Sequence, residues 1–301
     1  MTDKKYSKVL VLGGTGFLGY YVLRALDDAD LKIAIILHKK RDDLGIPFEG
    51  YELFEGDILN PETLKTAIES FKPNVIINTV GSLTEKPNRS FKRLYVEGMK
   101  NLVEVAEKGG VEKIVCVSDL AVKNALDTKY LSARREAEDV LKNSSLEWTI
   151  FRPSVIFGWR ASFTNVFVDQ IKKIWPILVP SDRFKLQPVA ATTVSKCIAQ
   201  ASSGSLGNSK VYEIVGPEIL TPHEIVERLK LSLNSQRSVW YVPFWFLKFM
   251  AFLKKLGFPT AITGFHIHVF RNRTLGTQDS IKEVFDIKEM KFDPKLDHPL
   301  Y

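Results

Sequence analysis

Short apolar runs alternate with longer amphipathic ones along the first half of the chain. The apolar runs predict strands over Lys8–Leu12, Lys32–Leu37, Tyr51–Phe54, Val75–Asn78, Lys113–Val117 and Glu147–Phe151. They are rich in Val, Ile and Leu without strict alternation, as strands covered on both faces are. Between them, apolar residues recur with helical spacing near Phe17–Leu26, Pro61–Phe71, Ser90–Lys108 and Tyr130–Lys142. Asn60 followed by Pro61 reads as a cap and first residue of one of these helices. Strand and helix in alternation predict an α/β fold, a doubly wound parallel sheet with helices on both sides.

After Arg152 the rhythm changes. Eight prolines from Pro153 to Pro259 break the second half into short strands and isolated helices, and all five tryptophans lie beyond residue 147. The expected organisation is a first domain over residues 1–158, with a returning segment near 187–205, and a smaller α/β lobe over 159–301 that covers a substrate or meets a partner. No repeat and no low-complexity segment interrupts this.

Composition narrows the class only a little. The 301 residues are 45% hydrophobic and 26% charged, ordinary values for a globular protein with a sizeable core. Cys116 and Cys197 sit in apolar stretches and read as buried hydrophobes in a reducing compartment. No stretch resembles a signal peptide core or approaches the roughly 20 apolar residues of a membrane span, so a cytoplasmic location is expected, with a peripheral membrane contact left open. The net charge of +7 reads as a mildly basic solvated surface, and no nucleic-acid motif accompanies it.

The most specific chemistry is at the first strand-to-helix turn. Val9–Leu12 runs into Gly13-Gly14-Thr15-Gly16-Phe17-Leu18-Gly19, and an amphipathic helix follows. Glycines there allow a tight turn, close backbone approach to a pyrophosphate and tight helix-to-strand packing. The helix N-terminus adds unpaired N–H groups and a positive dipole end. This predicts a Rossmann-type dinucleotide site formed by Gly13, Thr15, Gly16, Phe17, Leu18 and Gly19. In folds that prefer NAD, an acidic residue closes the second strand about 20 residues on. Here His38, Lys39, Lys40 and Arg41 stand instead, which favours the 2′-phosphate of NADP over NAD. Asp57 and Ile58, after the third strand, are placed to receive the adenine. Asn78, Thr79, Val80 and Gly81, closing the fourth, should flank the cofactor ribose.

Taken in order, the glycine loop, Gly56-Asp57-Ile58, Asn78–Gly81, Val117-Ser118, Tyr130, Arg152-Pro153-Ser154 and Phe157-Gly158 resemble the short-chain dehydrogenase/reductases of the extended and atypical type. Val211–Val215, Gly216-Pro217-Glu218 and the helix around Ile225–Leu229 extend the likeness. This pattern is similar to NmrA-like proteins, and most of all to the nucleotide-binding accessory subunit of respiratory complex I. The resemblance implies that Arg152, Pro153 and Ser154 border the cofactor. Active members use a Ser, a Tyr and a Lys four residues after the Tyr; the Tyr moves a proton as hydride passes to or from the nicotinamide. Here Ser118 and Tyr130 match, but Arg134 replaces the Lys. Arg is cationic and would depress the Tyr130 pKa, yet it is a larger, planar fork and a poor proton relay. Thr192 and Thr193 likewise stand where relatives often carry aspartates.

Trp240–Leu256 is dense in aromatics, with Lys248, Lys254 and Lys255 interspersed. It is too short to span a bilayer. Core packing, an apolar substrate pocket, and a peripheral membrane or protein-complex surface all remain open for it. His266 and His268 lie two apart, with His223 and His298 remote, and no carboxylate or Cys completes a metal set. Three functions stay in play. The first is an NADPH-binding oxidoreductase on an apolar carbonyl, alcohol or quinone-like substrate, using Ser118, Tyr130 and Arg134. The others are a non-catalytic dinucleotide sensor or assembly subunit, and a nucleotide-sugar epimerase or dehydratase.

Overall fold

The computed structural model describes residues 6–29, 31–38, 48–124, 128–173, 176–180, 184–204, 206, 208–257, 275–277 and 279–294. Lys39, Lys40, Arg41, His266, His268 and His298, all weighed above, lie outside these.

The strands expected in the first half all form: β1 (Lys8–Leu12), β2 (Lys32–Leu37), β3 (Glu52–Glu55), β4 (Val75–Asn78), β5 (Lys113–Val117) and β6 (Glu147–Pro153). They pair in parallel in the order β3-β2-β1-β4-β5-β6, and β10 (Lys210–Ile214) closes the β6 edge. The order reverses direction between β1 and β4, and a doubly wound sheet opens a ligand crevice at such a switch point. Every residue of β4 and β5 is buried, which accounts for their apolar runs, broken only by Asn78 at the end of one and Lys113 at the start of the other. β3 is an edge strand with mostly exposed side chains.

The helices α1 (Phe17–Asp27), α2 (Pro61–Phe71), α3 (Gly98–Lys108) and α4 (Lys129–Lys142) connect these strands. α2 begins as its sequence suggests: Asn60 accepts from the Glu62 N–H at 3.2 Å, and Pro61 takes the first turn. The helix expected over Ser90–Lys108 forms in two parts, because Lys92–Glu97 is wound as a π-helix before α3 begins. The wider π turn rotates the side chains that precede α3, a local device often met at functional sites.

The chain divides into two compact units. One comprises the residues through Arg152 together with Val194–Tyr212; the other comprises Pro153–Thr193 and the residues from Glu213 onward. In the first unit the apolar face of the sheet packs Leu10, Ile76, Ile114 and Ile150 against Leu64, Leu102 and Leu131 of the helices. Lys113 is wholly buried there, and its ammonium donates to the carbonyls of Ala201 and Leu206 at 2.7 and 2.9 Å. Cys116 and Cys197 are free, buried thiols, and burial pushes both up to about 12.

The second unit holds two short parallel pairs, β7 (Ile156–Phe157) with β9 (Val189–Ala190) and β8 (Ile177–Pro180) with β11 (Val239–Val242). Its helices are α5 (Ser162–Lys173), α7 (Pro222–Ser232), α8 (Phe244–Lys255) and α9 (Asp279–Phe285), while α6 (Ala191–Ser203) carries the chain back into the first unit. Phe157, Phe163, Phe167, Ile177 and Ile225 form its core. Gly216 is required by close approach: a Cβ there would lie 1.7 Å from the Pro188 carbonyl oxygen. Next to it Glu218 accepts a two-pronged bond from Arg228, 2.9 Å on each side, and a third from the Phe292 N–H at 3.0 Å.

Candidate functional site

The first strand-to-helix turn is built almost entirely of backbone. Gly13 has φ +80, and a Cβ there would lie 2.7 Å from Thr79 Oγ1 and 2.9 Å from backbone atoms, so only glycine fits. The Gly16 N–H closes the turn on the Gly13 carbonyl at 2.9 Å. Gly19 lies so close to that carbonyl that a Cβ would stand 2.1 Å from its oxygen. α1 then starts at Gly16 with no side-chain cap and no acidic residue in its first turn. The first N–H groups of a helix have no partner within it, so an uncapped start offers them to an anion. Phe17 and Leu18 carry two of those N–H groups. The Phe17 ring packs edge-on against Tyr21, and Leu18 is buried.

A cleft of about 180 Å³ opens above this turn. Gly13, Thr15 and Gly16 form one wall, and Thr79, Val80 and Gly81 form the facing one. Thr79 is anchored to the end of β1 by two bonds to the Leu12 carbonyl, from its N–H at 3.0 Å and its hydroxyl at 2.9 Å. Asn78 is buried and accepts from the Val80 N–H at 3.0 Å, which fixes the strand end.

The far end of the cleft is lined by Ile36, His38, Gly56, Asp57, Ile58 and Arg89. Asp57 is the hub. Its Oδ1 accepts from the Leu59 N–H at 3.1 Å, and its Oδ2 meets the Arg89 guanidinium and lies 3.2 Å from His38 Nδ1. Arg89 arrives from a turn in which Lys86 and Arg89 form a two-residue bridge. Sequence reasoning missed it, because nothing local marks an Arg in a loop as facing residue 57.

Ser118, Tyr130 and Arg134 come together next to the cleft, where Ile58 and Val80 line both it and the cavity beside Ser118 and Arg134. Thr128 caps α4 by accepting from the Leu131 N–H at 3.2 Å, which sets Tyr130, Arg134 and Glu138 on one helix face. The Tyr130 hydroxyl donates to Asp119 Oδ2 at 3.0 Å. Arg134 donates from Nη1 to the Val117 carbonyl at 2.8 Å and from Nε to the Tyr130 oxygen at 3.4 Å. Its guanidinium lies 4.0 Å above the Tyr95 ring, and Tyr95 is held by Ser82, donating to its carbonyl at 2.5 Å and accepting from its N–H at 2.8 Å. Tyr95 comes from the π-helical turn, and Asp119 directly follows Ser118; neither was singled out in the sequence.

Burial pushes the Tyr130 phenol well above its ordinary value, and the nearby Asp119 carboxylate adds to this. Arg134 does act in the lowering direction expected of a cation, but burial outweighs it. Tyr130 is therefore a protonated donor at neutral pH. The cavity beside Ser118, Tyr95 and Arg134 measures about 10 Å³, room for about one water.

Glu138 forms the floor of that cavity, with 2% exposure. Burial raises its carboxyl, but the Arg152 fork, the Ser118 hydroxyl and Lys142 together hold it below the ordinary carboxylate range. Arg152 Nε donates to Oε1 at 2.9 Å, its Nη2 to Oε2 at 2.5 Å, and Lys142 to Oε2 at 3.1 Å. Ser118 Oγ faces this carboxylate without a well-aligned hydrogen bond. Arg152, expected at the cofactor, is thus spent on Glu138. Pro153 and Ser154 belong to the second unit, where the Ser154 hydroxyl donates to the Gln187 carbonyl.

Residues 13–171 match the family model described as NAD(P)H-binding. The chain is 28% identical over 270 residues to the mitochondrial NADH dehydrogenase [ubiquinone] 1 alpha subcomplex subunit 9 of Arabidopsis thaliana, an alignment covering 83% of this chain and 65% of that protein. It is 24% identical over 247 residues to the photosystem II assembly factor Ycf39 of Guillardia theta, covering 81% and 76%. The chain thus spans less than two thirds of the plant subunit's length. Its backbone is similar to that of a Thermus thermophilus UDP-glucose 4-epimerase solved as a complex with NAD, with TM-score 0.65 at 20% identity over 93% of this chain and 98% of that one. The chain belongs to the NAD(P)H-binding family, as an atypical short-chain dehydrogenase/reductase related to the accessory subunit of respiratory complex I.

Proposed function

We propose that the protein binds NADPH as a resident group and does not turn it over through Tyr130, serving as a dinucleotide-dependent sensor or assembly subunit. The observation that carries this reading is the state of Tyr130. Its hydroxyl is committed to Asp119, its proton is held by burial, and the cation expected to position a ribose is spent on the Val117 carbonyl and the Tyr95 ring. A phenol held protonated cannot serve as the base of an alcohol oxidation. For the acid role in a carbonyl reduction, its proton is already donated to Asp119, and its loss would leave a buried phenolate beside that carboxylate. The plant relative is named as a complex subunit and the algal one as an assembly factor, which agrees with a role in holding proteins together.

The pyrophosphate would lie on the N-terminus of α1, with Gly13, Thr15 and Gly16 beneath it and Thr79–Gly81 opposite. Arg89 and His38 would meet the adenosine end, where Arg89 can exchange Asp57 for a 2′-phosphate. The nicotinamide half supplies hydride when a substrate can reach it, and Tyr95, Tyr130 and Arg134 leave little room there.

Titration calorimetry with NADPH and NADH tests the reading. NADPH should bind about tenfold or more tightly, and Arg89→Gln should narrow that gap. Tyr130→Phe should bind NADPH as the parent does. Oxidation of bound NADPH by an apolar carbonyl or quinone, lost in Tyr130→Phe, would instead establish the oxidoreductase. Equal affinity for the two cofactors would remove the role given to Arg89.

A further inference from the structure

Helix α8 has two apolar faces, and only one of them is used. Leu247 and Ala251 are buried in the core of the second unit, with Phe244 and Met250 packed against it. On the other side Trp245, Phe249, Phe252 and Leu256 follow one another at four-, three- and four-residue spacing, and their exposure runs from 49% to 67%. That spacing aligns them in a stripe of about 17 Å on one side of the helix. Trp240 and Tyr241 of β11, just before the helix, are also half exposed, at 56% and 49%. Single exposed apolar residues need no explanation, but a contiguous aromatic stripe marks a contact surface.

The charge of the sequence that carries the stripe indicates what covers it. Residues 231–278 contain six Lys and Arg (Arg237, Lys248, Lys254, Lys255, Arg271 and Arg273) and no Asp or Glu. The rest of the chain has 36 basic residues against 35 acidic, so six of the seven net positive charges fall in this one stretch of 48 residues. The basic surplus is therefore segregated along the sequence, unlike the interleaved charges elsewhere. Lys248 is exposed beside the stripe, its ammonium 5.1 Å from the Phe244 ring centroid.

A protein partner ordinarily meets an apolar centre with a polar, hydrogen-bonding rim. Exposed aromatic side chains in a stretch of sequence whose charges are all cationic match a layer that is apolar inside and anionic at its surface. Trp and Tyr favour that boundary, because each has an apolar body and a polar tip. α8 has 12 residues, and among the described residues no helix is long and apolar enough to cross a membrane. We infer that α8, with Trp240 and Tyr241, docks flat on an anionic lipid bilayer.

The test uses the purified full chain and flotation with phosphatidylcholine vesicles, with and without about a third phosphatidylglycerol. The chain should float with the anionic vesicles about tenfold more strongly than with neutral ones, and salt should weaken this. Its tryptophan emission should shift to the blue and be quenched by brominated acyl chains. Phe249→Ser combined with Phe252→Ser should cut flotation about tenfold, and Lys248→Glu should lower it at low salt, with circular dichroism and dinucleotide affinity unchanged. No flotation, flotation indifferent to these variants, or equal binding to neutral vesicles would overturn the inference. A stable dimer that the Phe variants turn into monomer, without vesicle binding, would assign the stripe to a second copy. Displacement from vesicles by a short oligonucleotide that itself binds the stripe would assign it to nucleic acid.

Discussion

At the scale of single residues, Glu138 shows how this protein spends its charges. A carboxylate with 2% exposure is tolerated because Arg152 grips both oxygens and Lys142 adds a third contact. Removing one partner of such a pair strands the other charge. Glu138→Gln should therefore cost about 3 kcal/mol, read by urea denaturation. The pH dependence follows from the lowered carboxyl. Its contribution is fully present above the unfolded carboxylate pKa and is lost as pH falls through the folded one. The parent melting temperature should fall from about pH 5 downward, more steeply than that of Glu138→Gln. Equal acid slopes would mean that the carboxylate is not held by these cations.

At the scale of elements, helix starts decide where side chains point. α7 begins with a reciprocal cap: Thr221 Oγ1 accepts from the Glu224 N–H at 3.2 Å, and the Glu224 carboxylate accepts from the Thr221 N–H at 2.7 Å. The same helix supplies Ile225, Val226 and Leu229 to the core of the second unit. Thr221→Ala should destabilise the protein by about 1 kcal/mol, seen as a lower urea midpoint with an unchanged slope. In α4 the corresponding start at Thr128 sets Tyr130, Arg134 and Glu138 on one face. That alignment was legible in the sequence from the four-residue spacing. The π-helical turn was not, since Lys92–Glu97 has an ordinary helical composition and only packing rewards its wider winding.

At the scale of the whole molecule, ligand binding is linked to stability. A dinucleotide that binds only the folded chain should add about 2.7 kcal/mol at a hundredfold excess over its Kd, about 5 °C in melting temperature for a chain of this size. Gly19→Ala should abolish that shift, because its Cβ would stand 2.1 Å from the Gly13 carbonyl oxygen and force the phosphate turn open. A full NADPH-dependent shift in Gly19→Ala would place the dinucleotide elsewhere.

The sequence by itself determined the central sheet, the glycine turn and the face of α4. Each rests on spacing within a few residues: apolar runs for β4 and β5, glycines where a Cβ has no room, and a four-residue repeat on a helix. Tertiary structure decided the rest. Arg152 turned to Glu138 and Arg89 reached Asp57, because their partners come from elements distant in the chain. Burial overruled the nearby cation at Tyr130, since desolvation depends on everything packed around the phenol and not on the residue four positions away. The apolar stretch 240–256 divided between a buried face and an exposed one for the same reason: hydropathy states what a side chain prefers, and only packing shows which side of the helix the core leaves uncovered.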